Sequence, residues 1–348
     1  MKQVLLLSNK VLHYRVKVYN DLAPILEEHG YALSVAGDSF QDDVNPIRFD
    51  CVKLESLKDW KAAIDAKKPE AVILFLHLKD GILFDVISYC KKHQIKVIYW
   101  NHGINIADPN NIVKNAAFHR VHSKCDALIT YMPCMRKHFK KKNQHKLFIA
   151  PNTLSFSGID RSQYDNHALR AKYGISQSFV VLFVARINQN RRLELLTEGL
   201  KEFPQIGLVV AGPGMSDDVL ASVNSHENFY YFGERYGDEV CELFALADVF
   251  SVPGSAGLAV NEAMFWGLPF FMLSEGVHGP EKEYVVDGEN GVVAKNENQL
   301  ISELVGLSVD RERLGKMSES CKDTFAKEMS IGAMASGFIE ALDYCFNS

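Results

Sequence analysis

The stretch from Val249 to Gly267, VFSVPGSAGLAVNEAMFWG, holds residue types suited to binding a phosphorylated ligand. A run from Asp248 to Val252 breaks at Pro253-Gly254-Ser255-Ala256-Gly257, and helical spacing of Leu258, Val260, Ala263 and Met264 follows. The pattern predicts a strand, a glycine-rich turn and a helix. Such a turn aims the unpaired N–H groups of a helix N-terminus at the carboxyl edge of a parallel sheet, where the helix dipole adds partial positive charge. Phosphate is the expected guest. Glu262, one turn further on, is an acceptor-only group whose two oxygens can take hydrogen bonds from neighbouring hydroxyls, as on a ribose. An ordinary strand–helix turn with a solvated glutamate fits the same residues.

These groups need a scaffold, and the rest of the chain supplies one. With 348 residues it exceeds what one hydrophobic core serves, so two domains are expected. A formal charge of −5 gives no general affinity for nucleic acid. The opening MKQVLLLSNK lacks the features of a signal peptide, and no run approaches the ~18 apolar residues of a membrane span, so a cytoplasmic protein is expected. Seven cysteines without a C-x-x-C pair suggest reduced thiols and neither a disulfide framework nor a zinc site.

Apolar runs at Val4 to Ser8, Ala32 to Ala36, Cys51 to Leu54, Ala71 to Leu76, Ile95 to Trp100, Ala127 to Tyr131 and Leu147 to Ala150 alternate with amphipathic stretches. The latter include helices predicted over Tyr14 to Glu28 and Pro133 to Lys142. After Pro151-Asn152 and a polar segment the alternation restarts at Phe179 to Val184 and continues through Leu268 to Leu273; helices follow Asn296. Strands separated by helices imply βαβ units. The expected fold is α/β, two tandem Rossmann-like doubly wound domains facing a central cleft. Their boundaries are 1–160 and 161–330, with a C-terminal helix at about 331–348 packing back on the first domain.

In the second domain the chain resembles the family 4 retaining glycosyltransferases of GT-B architecture. The blocks FVARINQNRRLELL (183 to 196), LVVAGPG (208 to 214), YYFGERYGDEVCELFALADVFSVPG (230 to 254), GLAVNEAMFWGLPFFM (257 to 272) and HGPEKEYVVDGENGVV (278 to 293) carry the resemblance in order. In the first domain HYRVKVYNDL (13 to 22), WNHGIN (100 to 105) and FIAPNTL (148 to 154) are similar to acceptor-side and linker motifs of bacterial polysaccharide members. The resemblance implies transfer of a sugar, with retained configuration, from a nucleoside diphosphate sugar to a saccharide or lipid-linked acceptor. Capsule, O-antigen or exopolysaccharide synthesis is the implied setting, and no cofactor is implied.

It also implies residue roles. Arg186 and Arg191 take the places of the family's arginine and lysine on the donor diphosphate, two fixed cations for a developing dianion; Arg192 could serve in place of Arg191. Glu262 matches the second glutamate of the E-x7-E motif, which holds the ribose. The first glutamate would fall at Gly254, a departure that leaves the contacts to the donor sugar undefined. Gly257, Leu258, Gly276, Gly279 and Glu281 fall in the turn and loop that, by the resemblance, surround donor sugar and phosphates; a plain turn fits Gly276 and Gly279 as well. Gly212 and Gly214 end a strand where glycine lets a base or ribose approach the backbone, or simply makes a tight turn. His102 matches a histidine near the reaction centre, and a polar loop histidine fits equally.

Tyr14 and Arg15, at the start of the first long helix, are candidate contacts to the acceptor or plain surface residues. No D-x-D occurs, so metal independence is expected. His119, His122 and Cys125 recur at three-residue steps, but a fourth ligand is missing, and no metal site is assigned. The basic run 135–146, with Arg136, Lys137, Lys140, Lys141, Lys142 and Lys146, is either a solvated face or a peripheral contact with an anionic membrane. A nucleotide-sugar epimerase of the same fold and a non-enzymatic sugar-binding protein are the competing readings.

Overall fold

The computed structural model describes residues 1–43, 45–105 and 108–347. The chain divides into unit 1, Met1–Ser157 with the C-terminal segment from Glu328, and unit 2, Gly158–Lys327.

The sheet of unit 1 comprises β1 (Lys2–Ser8), β2 (Tyr31–Gly37), β3 (Asp50–Lys53), β4 (Ala71–Phe75), β5 (Lys96–Trp100), β6 (Ala127–Thr130) and β7 (Leu147–Ile149). Their order is β3-β2-β1-β4-β5-β6-β7, every pairing parallel. Central strands are buried nearly end to end, Val4 to Ser8 and Ala71 to Leu74 among them, which is why they read as continuous apolar runs. Helices α1 (His13–Glu28), α2 (Trp60–Lys67), α3 (Leu83–Lys92) and α4 (Ile112–Lys124) follow β1, β3, β4 and β5.

Unit 2 repeats the design. Strands β8 (Phe179–Val184), β9 (Ile206–Ala211), β10 (Phe229–Tyr231), β11 (Val249–Ser251), β12 (Phe270–Leu273) and β13 (Gly291–Ala294) run parallel in the order β10-β9-β8-β11-β12-β13. Helix α5 (Asn166–Lys172) precedes them, and α6 (Leu193–Leu200), α7 (Asp217–Asn224), α8 (Asp238–Leu246) and α9 (Ala259–Trp266) connect them. The C-terminal helices of unit 2 are α10 (Glu297–Val309) and α11 (Arg311–Thr324). In both sheets the order reverses direction beside the first strand, and in such folds ligands bind at the carboxyl edge at that point.

Helix α12 (Ile331–Asn347) belongs to unit 1, where it packs on α1, β6 and β7. Met334, Phe338, Ala341, Leu342 and Cys345 form its buried stripe at helical spacing. A side chain at Gly337 would lie 1.9 Å from the Ile149 carbonyl oxygen, so glycine is what lets the helix backbone meet β7.

Two expectations change. Pro133 to Lys142 is not one helix but two 3₁₀ turns, Pro133–His138 and Lys141–Lys146. Phe139 between them is extended and buried, with its ring stacked 4.8 Å from His122; that anchor interrupts the helix. Lys146 does not join the basic surface: its ammonium donates to the Cys125 carbonyl, and burial lowers its pKa. Arg136, Lys137, Lys140, Lys141 and Lys142 remain exposed.

Candidate functional site

In unit 2 the Pro253–Gly257 turn joins β11 to α9 and is held on both sides by backbone. Gly254 N–H donates to the Arg191 carbonyl at 3.2 Å, and Leu273 N–H donates to the Pro253 carbonyl at 2.9 Å. Across the turn, Gly279 N–H donates to Ala256 O at 2.7 Å, Ala256 N–H to His278 Nδ1 at 3.0 Å, and Ser255 Oγ to Val277 O at 2.8 Å. No side chain caps the start of α9, and a Cβ at Gly257 would meet nothing within 4 Å. The turn thus leaves open space on the Cβ side of Gly257, just before the helix.

The glycines explain the departure at position 254. A Cβ there would lie 2.3 Å from Asn190 O and 2.4 Å from Arg192 Cγ, and one at Gly276 would lie 2.1 Å from Gly254 O. A glutamate cannot occupy 254 while the loops carrying Arg191 and Gly276 close on it. Gly279 faces the Glu281 carboxylate in the same way, and Glu281 is buried.

Arg191 is half-buried, and its guanidinium donates to the Ser255 carbonyl of the turn. Among the described residues it has no carboxylate partner, and burial lowers its pKa. Arg192 instead takes a left-handed backbone and binds Glu194 at 2.6 Å and Glu297 at 2.8 Å. Arg191 therefore carries the uncompensated charge at the turn. Arg186 is exposed on the same loop.

Gly212 and Gly214 serve that loop. Gly212 has φ +132°, and a Cβ there would lie 1.9 Å from the Ala185 carbonyl oxygen; Gly214 has φ +95°, and a Cβ there would lie 2.5 Å from that of Ile187. Ala185 N–H donates to Ala211 O and Ile187 N–H to Pro213 O, so the glycines clamp the Arg186 segment to the end of β9.

Glu262 lies in the first turn of α9, half-buried, with no hydrogen bond or ion pair among the described residues. Burial pushes its pKa up to about 7, outweighing the nearby helix N-terminus, which favours the carboxylate. An acceptor with no protein donor is available to a ligand's hydroxyls.

Unit 1 offers a second site. A cavity of about 280 Å³ at the carboxyl edge of β4 and β5 is lined by Phe75, His77, Trp100, His102, Phe118 and Tyr131, among others. His102 stacks on Tyr131 at 4.3 Å, and burial, with like charge from His77, Arg15 and His138, lowers its pKa to about 4; it is neutral at neutral pH. Its loop is pinned from below: Asn101 Oδ1 accepts from Gly103 N–H at 2.7 Å and from His122 Nε2 at 3.0 Å. His122, fully buried and with its pKa lowered to about 3 chiefly by burial, is a positioning residue. Cys125 Sγ donates to Val121 O, and among the described residues no group of three or more His, Cys, Asp or Glu side chains is gathered as for a metal ion.

Arg15, read as a candidate acceptor contact or a plain surface residue, is 5% exposed and so not a surface residue; it donates to Asn152 Oδ1 at 2.6 Å and stacks against Phe75 and Trp100. Tyr14 flanks it, half-buried. Asn152 and His278 lie inside motif blocks but carry no signal by residue type alone, and His122 reads only as one of a metal-spaced set. Their partners are distant in the chain.

Residues 178–310 match the family model described as glycosyl transferases group 1. The chain is 24% identical over 225 residues to the alpha-monoglucosyldiacylglycerol synthase of Acholeplasma laidlawii, covering 60% of this chain and 56% of that protein. It is 31% identical over 118 residues to a sulfoquinovosyl transferase of Arabidopsis thaliana, covering 33% of this chain and 23% of that one. The chain thus spans about half, or less, of the length of these curated relatives. Among solved structures, HepE of Anabaena in complex with UDP superposes with a TM-score of 0.74 at 14% identity, covering 99% of this chain and 100% of that one. The fold is the two-Rossmann GT-B fold, and the resemblance read in the ordered motifs is to glycosyltransferases.

Proposed function

We propose that this chain is a retaining glycosyltransferase that moves a sugar from a nucleoside diphosphate sugar, UDP being the first base to test, to a saccharide or lipid-linked acceptor. Bacterial surface polysaccharide synthesis is the proposed setting. The observation that carries the reading is the N-terminus of α9 without a side-chain cap, with Arg191 bonded to its turn and Glu262 in its first turn, neither with a partner of opposite charge among the described residues. Relatives named for glycosyl transfer and a fold neighbour bound to UDP support it.

In this reading the diphosphate lies at the helix N-terminus, Glu262 accepts the ribose hydroxyls, and Arg186 and Arg191 stabilise the charge of the leaving group. Each charge-assisted bond contributes about 1.5–3 kcal/mol. The bond from the anomeric carbon to the diphosphate breaks, the bond to the acceptor oxygen forms on the same face, and the departing phosphate takes the acceptor proton. No protein base is required, and neutral His102 acts as a hydrogen-bonding group beside the reacting sugar. Metal independence goes with two fixed cations on the diphosphate.

Calorimetric titration of UDP, GDP, ADP and free monosaccharides in EDTA tests this. One nucleoside diphosphate should bind, and Arg186→Ala should weaken it about tenfold, ~1.4 kcal/mol. Binding of a free sugar and of no nucleotide would return the chain to the sugar-binding class. Turnover lost in EDTA and restored by Mg²⁺ or Mn²⁺ would overturn metal independence.

His278 and Glu281 put a histidine and a carboxylate beside the same turn, which favours the epimerase as the second reading. Conversion of a nucleotide sugar without acceptor would select it.

A cytoplasmic protein in peripheral contact with an anionic membrane completes the proposal. Exposed Arg136, Lys137, Lys140, Lys141 and Lys142 supply charge. Ile112 and Val113 of α4, 83% and 81% exposed, supply apolar contact, with Arg120 and Lys124 following on that helix. No helix among the described residues is long and apolar enough to cross a membrane. Absence of flotation with anionic liposomes at low salt would remove this part.

A further inference from the structure

At the carboxyl edge of the unit 1 sheet several buried polar atoms have no hydrogen-bond partner among the described residues: Ser8 Oγ, Arg15 Nε and Nη1, Trp100 Nε1 and His102 Nδ1. They come from neighbouring elements. Ser8 ends β1, Trp100 ends β5, His102 follows it, and Arg15 opens α1, around the point where the strand order reverses. Buried polar groups are almost always paired, and a cluster left open by the protein is a cluster prepared for something else.

The charge identifies what that is. Arg15 is 5% exposed, and among the described residues it forms no ion pair. Its guanidinium lies 5.4, 5.2 and 5.0 Å from the ring centres of Tyr14, Phe75 and Trp100. Those rings, with the hydroxyls of Tyr14, Tyr19 and Tyr131, favour the cation, but Nε and Nη1 have no hydrogen-bond partner among the described residues. Asn152 Oδ1 satisfies Nη2 alone. A buried cation with no carboxylate partner among the described residues leaves charge that a ligand bearing negative charge can balance. The open groups of Arg15 and Trp100 are donors, and a serine hydroxyl can also donate, a set that matches oxyanion oxygens. The adjoining cavity of about 280 Å³ lies near the low end of ligand pockets, about 300–1,000 Å³, with room for a small polar group and not for an oligosaccharide chain.

We propose that this crevice binds an oxyanion, a phosphate or a carboxylate, carried by the acceptor, with Trp100, which lines it, as donor through Nε1 and Arg15, stacked behind the Phe75 and Trp100 rings, as counter-charge. Arg15 is then a specificity residue that selects anionic acceptors over neutral sugars. The assignment to the acceptor rests on the glycosyltransferase reading; the oxyanion site rests on the unpaired groups.

The test follows the Trp100 indole N–H signal of ¹⁵N-labelled full-length protein, identified by its loss in Trp100→Phe, with UDP present in excess to occupy unit 2. The probes are glucose 1-phosphate, glucuronate and glucose. One charged probe or both should shift the signal saturably, the responding one telling phosphate from carboxylate, while glucose should need about tenfold more, ~1.4 kcal/mol. Arg15→Gln should abolish the preference for charge, and Arg15→Lys should keep part of it. Equal response to glucose and the charged probes, no response to either charged probe, or a charge preference intact in Arg15→Gln would overturn the proposal. The wild-type comparison decides it even if the variants do not fold. Calorimetry of UDP on the same samples separates the two readings: if UDP binds and the charged probes do not, the oxyanion site alone fails. If UDP does not bind, the transferase reading fails, and the crevice is judged on its own titration.

Discussion

The two sheets have the same parallel order around their first strand, and both candidate sites lie at the carboxyl edge, yet they are built from opposite materials. In unit 2 the site is backbone. Gly212, Gly214, Gly254 and Gly276 let loops approach to distances that exclude any side chain, and among the described residues the charged groups Arg191 and Glu262 have no partners of opposite charge. In unit 1 the site is side chain. Phe75, Trp100 and Tyr131 form walls, and Arg15 is buried behind them. A backbone cradle suits a ligand part that every donor shares, the diphosphate, because N–H groups read only charge and position. A side-chain pocket suits the part that differs between enzymes. On the proposed function, the burden of specificity falls on unit 1.

The largest effect should come from putting the missing glutamate back. Gly254→Glu drives a side chain into Asn190 O and Arg192, so it should destabilise unit 2 by about 3 kcal/mol and abolish nucleotide binding where the resemblance would predict a gain. Thermal melting and calorimetry read both. A stable variant with tighter donor binding would show that the cradle is not closed at this point.

Next in size is the arginine pair. Arg191→Ala should weaken nucleoside diphosphate binding about tenfold, ~1.4 kcal/mol. Arg192→Ala, which removes only exposed ion pairs to Glu194 and Glu297, should cost less than about 1 kcal/mol. A reversed order would move the diphosphate to the other side of the loop.

The smallest and most diagnostic effect is opposite pH dependence. Glu262 rises from 4.5 to about 7 in the fold, so between those values the folded chain holds a proton the unfolded chain has lost, and stability falls as pH rises through about 7. His102 and His122 drop from 6.5 to about 4 and about 3, so the unfolded chain binds the extra protons, and stability is lost as pH falls below 6.5. Glu262→Gln should flatten the first slope and His122→Gln part of the second. Melts followed at Trp266 for unit 2 and at Trp60 and Trp100 for unit 1 assign each slope to its unit. Slopes of the same sign in both units would break the contrast.

Much of unit 2 was legible in advance because its signals are local. Continuous apolar runs mark strands buried on both faces, and a glycine-rich break before helical spacing marks the turn. The neighbourhood of Arg186, Arg191, Glu262 and the glycines followed from motif order alone. The roles of the glycines did not follow. Gly212 and Gly214 read either as places for a base or ribose to approach or as a tight turn, and in the fold their neighbours are the carbonyls of residues 185 and 187. The single helix expected over Pro133 to Lys142 failed for a related reason: Phe139 is held by His122, and composition does not record that contact.

The sequence by itself determined the parallel α/β class, the phosphate-suited turn and the cation-bearing loop, since periodicity, glycine and charge act over a few residues. Only the tertiary structure decided which arginine is uncompensated, why position 254 admits no side chain, and that Arg15 is buried. Those depend on what lies opposite each group: Glu297 lies 105 residues from Arg192 and Asn152 lies 137 from Arg15. A residue's burial and partners are properties of the packed chain, and its own neighbours in sequence do not encode them.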